Sequence, residues 1–307
     1  MPIAAHPRLA SLVLLGIASL ALSACHPGNK EAKLLRESCD AGDANACNKF
    51  AAKLQKGEYV LRDEPRAAVL FDTACTRGIG DGCASLGVML QRGSGGVKRG
   101  TIRAIKLFQQ GCDGRAMEGC ARLGALYRTG RGVPRDLARA VSLFQQSCDG
   151  ASMFGCSHLA SLYAAGEGVA QDYAKAATLY KKGCDAKVAL ACAGLGRLHG
   201  AGTGVERNDS LAISLFRQSC YQRERAGCFD LAMSYETGRN GRQNYERAAT
   251  LYNDECDERN GEACARLAGL AERGAGTNRD TKRAASLRKR ACDLGYLEAC
   301  PKPKATT

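Results

Sequence analysis

Cysteine is the residue type whose spacing in this sequence most directly predicts chemistry. Seventeen cysteines are present, and sixteen of them occur in pairs. The first cysteine of each pair lies 36 residues after the first cysteine of the pair before it, except for one step of 37 between Cys75 and Cys112. Sixteen of the cysteines form eight pairs, each with its members eight positions apart: Cys39/Cys47, Cys75/Cys83, Cys112/Cys120, Cys148/Cys156, Cys184/Cys192, Cys220/Cys228, Cys256/Cys264 and Cys292/Cys300. This regularity predicts a repeated structural unit that carries one cysteine pair.

Paired cysteines serve two chemistries, disulfide formation and metal binding. Zinc sites favour cysteines two to four positions apart, with a second pair to complete four ligands, whereas each unit here supplies one widely spaced pair. An even number of paired thiols in an exported chain fits disulfides, which persist in oxidising compartments. We therefore favour one disulfide for each pair over metal binding, and we assign no metal or cofactor.

The remaining cysteine, Cys25, follows a segment typical of export. Arg8 precedes an apolar run from Leu9 to Leu22, and the segment is too short and wrongly flanked for a membrane span. Leu22-Ser23-Ala24-Cys25 resembles the bacterial lipobox, which implies a signal peptide over residues 1–24, lipidation of Cys25 and firm anchoring by acyl chains. The alternative is an ordinary signal peptide cleaved at the same place. Because His26 stands where an aspartate often retains such lipoproteins in the inner membrane, we expect outer-membrane anchoring with the protein facing the periplasm.

Other residue types give little support for catalysis. Penicillin-type serine chemistry needs Ser-x-x-Lys together with Ser-Asp-Asn and Lys-Thr-Gly, and only Ser286-Leu-Arg-Lys289 matches in part. His199 occupies a position held by tyrosine in other repeats, which favours a packing role. The glycine-rich loops recur in successive units and lack the preceding strand of a phosphate-binding loop. We predict no catalytic residue.

The pattern between cysteines predicts two helices per repeat, called here helix A and helix B. Helix A starts near the second cysteine of a pair, and a glycine ten residues later is expected to end it; this glycine is Gly57, Gly93, Gly130, Gly166, Gly202, Gly238 or Gly274. Helix B follows a glycine-rich loop that often ends in an aspartate suited to an N-cap. It carries packing residues five and four positions before its cysteine: Leu107/Phe108, Leu143/Phe144, Leu179/Tyr180, Leu215/Phe216 and Leu251/Tyr252. Each cysteine pair then links helix B to the helix A that follows, and Arg288 replaces the aromatic residue in the last repeat, as suits a polar cap.

This combination, Cys-x-x-Leu-Gly-x-Leu-Tyr-x-x-Gly-x-Gly-Val followed by Ala-x-x-Leu-Phe and Cys-Asp, resembles the Sel1-like repeat, a relative of the tetratricopeptide repeat. The resemblance implies an all-α fold, a right-handed α/α solenoid of about seven repeats with one disulfide each. The cysteine pair is similar to that of a secreted cysteine-rich subgroup, some members of which carry a beta-lactamase or penicillin-binding label. We expect a tether at 25–30, a solenoid at 31–300 with repeats starting near 47, 83, 120, 156, 192, 228 and 264, and a tail at 301–307.

Repeat solenoids commonly bind other proteins on their surfaces, and we predict a non-catalytic scaffold for an envelope protein or peptide. The alternatives are a weak beta-lactam hydrolase or penicillin-binding protein and a peptidoglycan-binding protein. The formal net charge of +13 could favour anionic envelope polymers, and export argues against a nucleic-acid partner. The sequence does not settle the oligomeric state. On the inner face of helix A, positions two and five after the cysteine vary between repeats, which gives candidate partner contacts at Arg122, His158, Arg197, Asp230 and Arg266.

Overall fold

The computed structural model describes residues 27–239 and 243–301, and Cys25 with the predicted signal peptide lies outside them. The described part contains fifteen α-helices and no strands, in two compact units that divide between Ser147 and Cys148. The first unit holds α1 (Pro27–Asp40), α2 (Ala44–Lys56), α3 (Glu64–Thr76), α4 (Gly80–Arg92), α5 (Thr101–Asp113), α6 (Met117–Thr129) and all but the last two residues of α7 (Leu137–Asp149). The second holds α8 (Met153–Ala165), α9 (Tyr173–Asp185), α10 (Ala189–Ala201), α11 (Asp209–Tyr221), α12 (Arg225–Thr237), α13 (Tyr245–Asp257), α14 (Gly261–Arg273), α15 (Thr281–Asp293) and a 3-10 helix, Leu297–Ala299. Helix A of the seven repeats is α2, α4, α6, α8, α10, α12 or α14, and the helix that follows each of these is helix B.

Each A helix begins three residues before the cysteine near which its repeat was predicted to start. The second cysteine of each pair lies in the first turn of helix A, three residues after the helix begins: Cys47, Cys83, Cys120, Cys156, Cys192, Cys228 and Cys264. The amide of each of these cysteines donates to the carbonyl four residues before it, at 3.0–3.3 Å, and for Cys47 that carbonyl belongs to Asp43. The cysteine thus completes the first helical turn, because the helix starts at the residue that follows this carbonyl. The cysteine therefore marks the first turn of helix A and not its first residue.

The predicted glycines end every A helix. All seven adopt the left-handed conformation, with φ between 67° and 74°, and in α6 the amide of Gly130 donates to the carbonyl of Leu126. Glycine suits this position because a side chain disfavours positive φ. The helix A boundary is therefore fixed locally in each repeat.

The starts of the B helices are fixed by side-chain caps. Asp136, for example, accepts a hydrogen bond from the amide of Arg139 at 2.9 Å, and Asp63, Asp172, Asn208, Asn244 and Asp280 make the same bond three residues on. Such caps satisfy an amide that has no partner within the helix. Only α5 among the described B helices begins without one, after Gly100.

Aromatic side chains of helix B lie at the centre of every hairpin except the last, where Arg288 takes that position. Phe108 and Phe144 are fully buried, and a Cβ added to Gly124 of helix A would lie 3.0 Å from the Phe144 ring. The glycine of the Leu-Gly pair thus lets the ring pack directly on the backbone of helix A. Packing of this kind leaves no room for a side chain at that position.

One disulfide joins each helix B to the helix A that follows it, and the first and last bridges attach α1 and the 3-10 helix in the same way. All eight predicted pairs are bonded, with Cα atoms 4.4–4.8 Å apart, so the sulfur atoms are not metal ligands. The bridges are Cys39–Cys47, Cys75–Cys83, Cys112–Cys120, Cys148–Cys156, Cys184–Cys192, Cys220–Cys228, Cys256–Cys264 and Cys292–Cys300. The expectation of an all-α solenoid with one disulfide per repeat is confirmed.

Candidate functional site

A groove crosses the A helices of the first unit, and we call it the A groove. Its volume is about 770 Å³. The residues that line it come from α2, α4, α6, the first residue of α3 and neighbouring loops: Asn48, Gln55, Lys56, Arg62, Glu64, Asp81, Ala84, Ser85, Val88, Arg92, Ser94, Glu118 and Arg122. This size and mixed polarity are suited to several residues of an extended peptide.

Some of the charges in the A groove neutralise one another, and others do not. Arg62 pairs with Glu64, and Arg122 Nε donates to Glu118 at 2.7 Å, one helical turn away. Lys56 and Arg92 are exposed, and neither has an ion-pair partner among the described residues. Asp81 lines the groove, is exposed and likewise has no ion-pair partner among the described residues, so the unpaired groups are two cations and one anion, and their net charge is positive.

Asn48 supplies an unused acceptor in the same groove. Its Oδ1 is shielded from solvent and has no hydrogen-bond partner in the described part of the chain. A buried polar atom of this kind costs free energy unless a partner satisfies it. A backbone amide of a bound peptide is a donor of the right type.

In the second unit, two predicted contact residues bind each other. Arg197 of α10 donates to Asp230 of α12 at 2.8 Å, which links neighbouring A helices. Asp230 is only 8% exposed. Burial raises its pKa above the usual carboxyl value, and the charge of Arg197 partly offsets that rise. Both groups are therefore engaged within the fold.

Arg266 belongs to a network that sequence analysis did not identify. Glu236 accepts a hydrogen bond from the Tyr252 hydroxyl at 2.7 Å and lies 3.2 Å from Arg266 Nη1, while Arg266 also binds Glu262 of its own helix. Burial and the bond to Glu236 raise the pKa of Tyr252. The network joins α12, α13 and α14, which indicates a structural role.

His158 packs beside Phe154 of the same helix, with ring centroids 4.5 Å apart and the rings nearly perpendicular. The five predicted partner contacts thus do not form one site: Arg197 and Asp230 meet, and Arg122, His158 and Arg266 each have neighbours of their own. Only Arg122 lines the A groove. The role of these five residues as partner contacts stays a prediction.

Sequence analysis missed the groove residues Asn48, Lys56 and Arg92. They lie one or nine positions after the second cysteine of their repeats, whereas the prediction considered positions two and five. Since residues three or four apart share a helix face, extending the series from position five to position nine would have found the two cations. Asn48 had no sequence signal, because its lack of a partner depends on its neighbours in space.

The remaining chemical candidates lie at the surface. Ser286 and Lys289 are both exposed on α15. Among residues 27–239 and 243–301, no group of three His, Cys, Asp or Glu side chains is placed to hold a metal ion. Each helix in those same ranges falls short of the length and hydrophobicity needed to cross a membrane.

Two solved structures illustrate the similarity of this fold to known proteins. One is c5321, a protective antigen of uropathogenic Escherichia coli that displays an SLR fold, with 24% identity and a TM-score of 0.57 over 87% of this chain and 57% of that one. The present chain thus spans little more than half of that protein. The other is a Sel1 repeat protein from Oxalobacter formigenes, with 21% identity and a TM-score of 0.58 over 87% of this chain and 77% of that one. At these identities the similarity concerns the fold alone.

Comparison with curated proteins found no match to this chain. The family model described as the Sel1 repeat matches seven stretches, at residues 44–79, 80–114, 118–152, 154–188, 189–223, 225–253 and 261–296. Each stretch begins two or three residues before the second cysteine of a pair, within one residue of the start of an A helix. These stretches make up most of the sequence, and each covers all or most of one helix A and helix B pair described above; the stretch 225–253 ends within α13. The chain therefore belongs to the Sel1 repeat family.

Proposed function

We propose that this protein is a non-catalytic scaffold that binds a segment of another envelope protein in the A groove. Sel1 repeat proteins generally mediate protein–protein interaction. The observation that carries the proposal for this chain is the shielded Asn48 Oδ1 without a hydrogen-bond partner, beside two exposed cations. A peptide backbone would satisfy the amide, and acidic side chains would meet the cations.

The mode of binding follows from the chemistry of the groove. A segment lying across α2, α4 and α6 would donate a backbone amide to Asn48 and place acidic residues near Lys56 and Arg92. Disulfides join α1 to α2, α3 to α4 and α5 to α6. A surface held by such bridges loses little conformational entropy when a partner binds, which favours affinity.

The proposed location is the bacterial cell envelope, with lipid attached at Cys25 and the repeats facing the periplasm, the outer membrane being favoured. The export-type sequence of residues 1–24 supports this location, and so do disulfides, which persist in oxidising compartments. Mass spectrometry of the mature N-terminal peptide is the test, with Cys25→Ser as its control. A diacylated Cys25 is expected, and an unmodified N-terminus at that residue would show an ordinary signal peptide instead.

Site-specific photocrosslinking tests the A groove directly. A photoreactive amino acid replaces Ser85, which lines the groove, in the full chain expressed in its own envelope. The matched control carries the same probe at Ser286, exposed on α15. One protein crosslinked from position 85 and absent from the control is the expected result, with the crosslinked segment identified by mass spectrometry.

Two variants connect that crosslink to the proposed contacts. Because attraction by exposed charges mainly speeds association, Lys56→Glu with Arg92→Glu should reduce the crosslinked yield at least tenfold. Asn48→Leu should also reduce it, because it removes the acceptor. Equal crosslinking from positions 85 and 286, or a yield unchanged in both variants, would refute the proposal; retention of the wild-type chain by purified sacculi alone would favour the cell-wall alternative.

A further inference from the structure

The second unit contains a groove of different character between two B helices, α9 and α11, which we call the B groove. Its volume is about 650 Å³. Leu195 and His199 of α10 line it together with Ala177 of α9, Val205 of the following loop, and Leu211 and Leu215 of α11. The surface of the groove is therefore more apolar than polar, although Thr178, Lys181, Asp185, Lys187 and Gln218 line it as well.

In three other repeats, a tyrosine of helix A and a basic residue of helix B occupy the corresponding place, whereas the remaining three carry Leu54, Leu90 and Ala271 at the tyrosine position. The Arg139 guanidinium lies 4.5 Å from the centre of the Tyr127 ring, and Arg247 lies 5.7 Å from that of Tyr235 and donates to its hydroxyl at 3.4 Å. A cation over an aromatic face is a favourable contact. The third residue of helix B is basic in six repeats: Arg66, Arg103, Arg139, Lys175, Arg247 and Arg283.

The repeat formed by α10 and α11 departs from this pattern at both positions. His199 replaces the tyrosine and Leu211 replaces the basic residue. His199 Nδ1 lies 3.0 Å from the Glu206 carbonyl, so the ring is held by its own loop. Leu211 is 39% exposed. The paired replacement leaves apolar surface where the other repeats hold a solvated cation.

The charges beside the B groove indicate the sign of a ligand. Lys181 and Asp185 form an ion pair of 2.8 Å on α9. Lys187, in the turn that follows, also lines the groove and has no ion-pair partner among the described residues. The unneutralised charge at this edge is positive, which complements an acidic group.

We propose that the B groove binds a linear acidic segment of a partner protein, with one bulky apolar side chain between α9 and α11 and a neighbouring carboxylate at Lys187. The groove is open to solvent along Leu211, which suits one side chain of a polypeptide better than a free small molecule that must be largely enclosed. This surface is distinct from the A groove and lies in the other unit, so the inference goes beyond the proposed function.

A variant that restores the pattern of the other repeats provides the test. His199→Tyr with Leu211→Arg should fill the groove with a contact that the same fold already accommodates in two other places. Random peptides displayed on phage are selected on the wild-type chain, with its disulfides intact, and are counter-selected on this filled variant. Circular dichroism and thermal melting check that the two proteins are equally folded.

The expected peptides carry a bulky apolar residue with Asp or Glu within two positions. They should bind the filled variant at least tenfold more weakly, and Lys187→Glu should abolish their acidic preference. No peptide that distinguishes the two proteins, or selected peptides without acidic residues, would overturn the inference. Binding of dodecanoate at the groove without any selected peptide would also overturn it, in favour of a lipid ligand. Peptides that bind the A groove should bind the wild-type chain and the filled variant equally well. A failure of the B groove proposal can therefore be told apart from a failure of the proposed function.

Discussion

Removal of one interior disulfide should destabilise the repeats around it more than removal of the last one. The Cys184–Cys192 bridge joins α9 to α10 across a sequence separation of 8. A closed loop of this length stabilises a fold by roughly 2.5 kcal/mol in the chain-entropy model. Cys192 is fully buried and Cys184 is nearly so, and truncation of two buried thiols adds about 1 kcal/mol. Cys184→Ala/Cys192→Ala should therefore lower the free energy of unfolding by about 3 to 4 kcal/mol.

The terminal pair is the matched control, because Cys292–Cys300 has the same sequence separation. It attaches only the final 3-10 helix, Leu297–Ala299, to α15. Since each repeat of a solenoid contacts its neighbours alone, loss of this bridge should fray the end of the chain. The free energy of unfolding of the preceding repeats should fall by less than about 1 kcal/mol.

Urea denaturation followed by circular dichroism measures the total effect, and hydrogen exchange with mass spectrometry measures it helix by helix. The second method is necessary because long repeat arrays can unfold in more than one step. For the interior variant, faster exchange should be centred on α9 and α10. The reasoning would be refuted by equal losses of unfolding free energy in the two variants, or by a loss below about 1 kcal/mol in the interior variant. Either result would show that helix packing, without the disulfide, is enough to hold α9 against α10.

Three further changes test other parts of the fold. Burial raises the pKa of Glu255, which is 4% exposed and 3.5 Å from Arg225. Because the folded state holds a proton that the unfolded state releases, stability should fall as the pH rises from the ordinary glutamate pKa through the raised one. Glu255→Gln should remove this dependence of stability on pH. It should stabilise the protein by about 1 kcal/mol at pH 8 and not at pH 4. Urea denaturation midpoints at the two pH values provide the test, and equal gains at both would contradict the charge argument. Arg197→Ala should cost about 1–3 kcal/mol by leaving the Asp230 carboxylate without its ion pair, and the loss should vanish in an Asp230→Asn background. Phe108→Ala should cost about 3–4 kcal/mol in chemical denaturation, because the ring is fully buried, and a loss under 1 kcal/mol would show that the hairpin repacks.

The features predicted correctly from the sequence are those that depend on neighbours along the chain. Cys148 and Cys156 are eight positions apart and bond across one turn. Gly130 ends α6 because a single residue must adopt a positive φ there, and Asp136 caps α7 through an amide three residues away. Repetition strengthened each of these signals, since the same short motif recurs throughout the chain.

The starts of the A helices were predicted less accurately than their ends. Each end carries a glycine that the backbone requires, whereas the residue before each start varies between repeats. Asp43 and Ser152 cap their helices through side-chain oxygens, but Ile79, Ala116 and Val188 have no side chain that can do so. Without a recurrent cap, the nearest recurrent residue was the cysteine, which lies one turn inside the helix.

The features that were not predicted depend on neighbours in space. Arg197 and Asp230 were identified as variable helix A positions, but their ion pair spans 33 residues, and nothing in either local sequence indicates it. Glu236 has no signal in its local sequence, because its role depends on Tyr252 and Arg266 approaching from two other helices. Variability between repeats therefore located polar residues of helix A without separating those that bind one another from those open to a partner.

Comparison between repeats helps to distinguish residues that bind one another from residues that are open to a partner. The same position can be compared in several copies of one structural environment. Glu255 stands where Ser147 and Ser219 donate to the carbonyls of Met117 and Ala189, and Arg225 partly offsets its charge. The replacement of a tyrosine and a cation by His199 and Leu211 has no such compensation, because it leaves an apolar groove. A substitution that breaks the repeat pattern but is offset by a neighbouring residue, as at Glu255, is explained by the fold. A substitution that leaves apolar surface exposed, as at His199 and Leu211, is better explained by a binding partner. The B groove is therefore a better candidate than Glu255 for a binding surface.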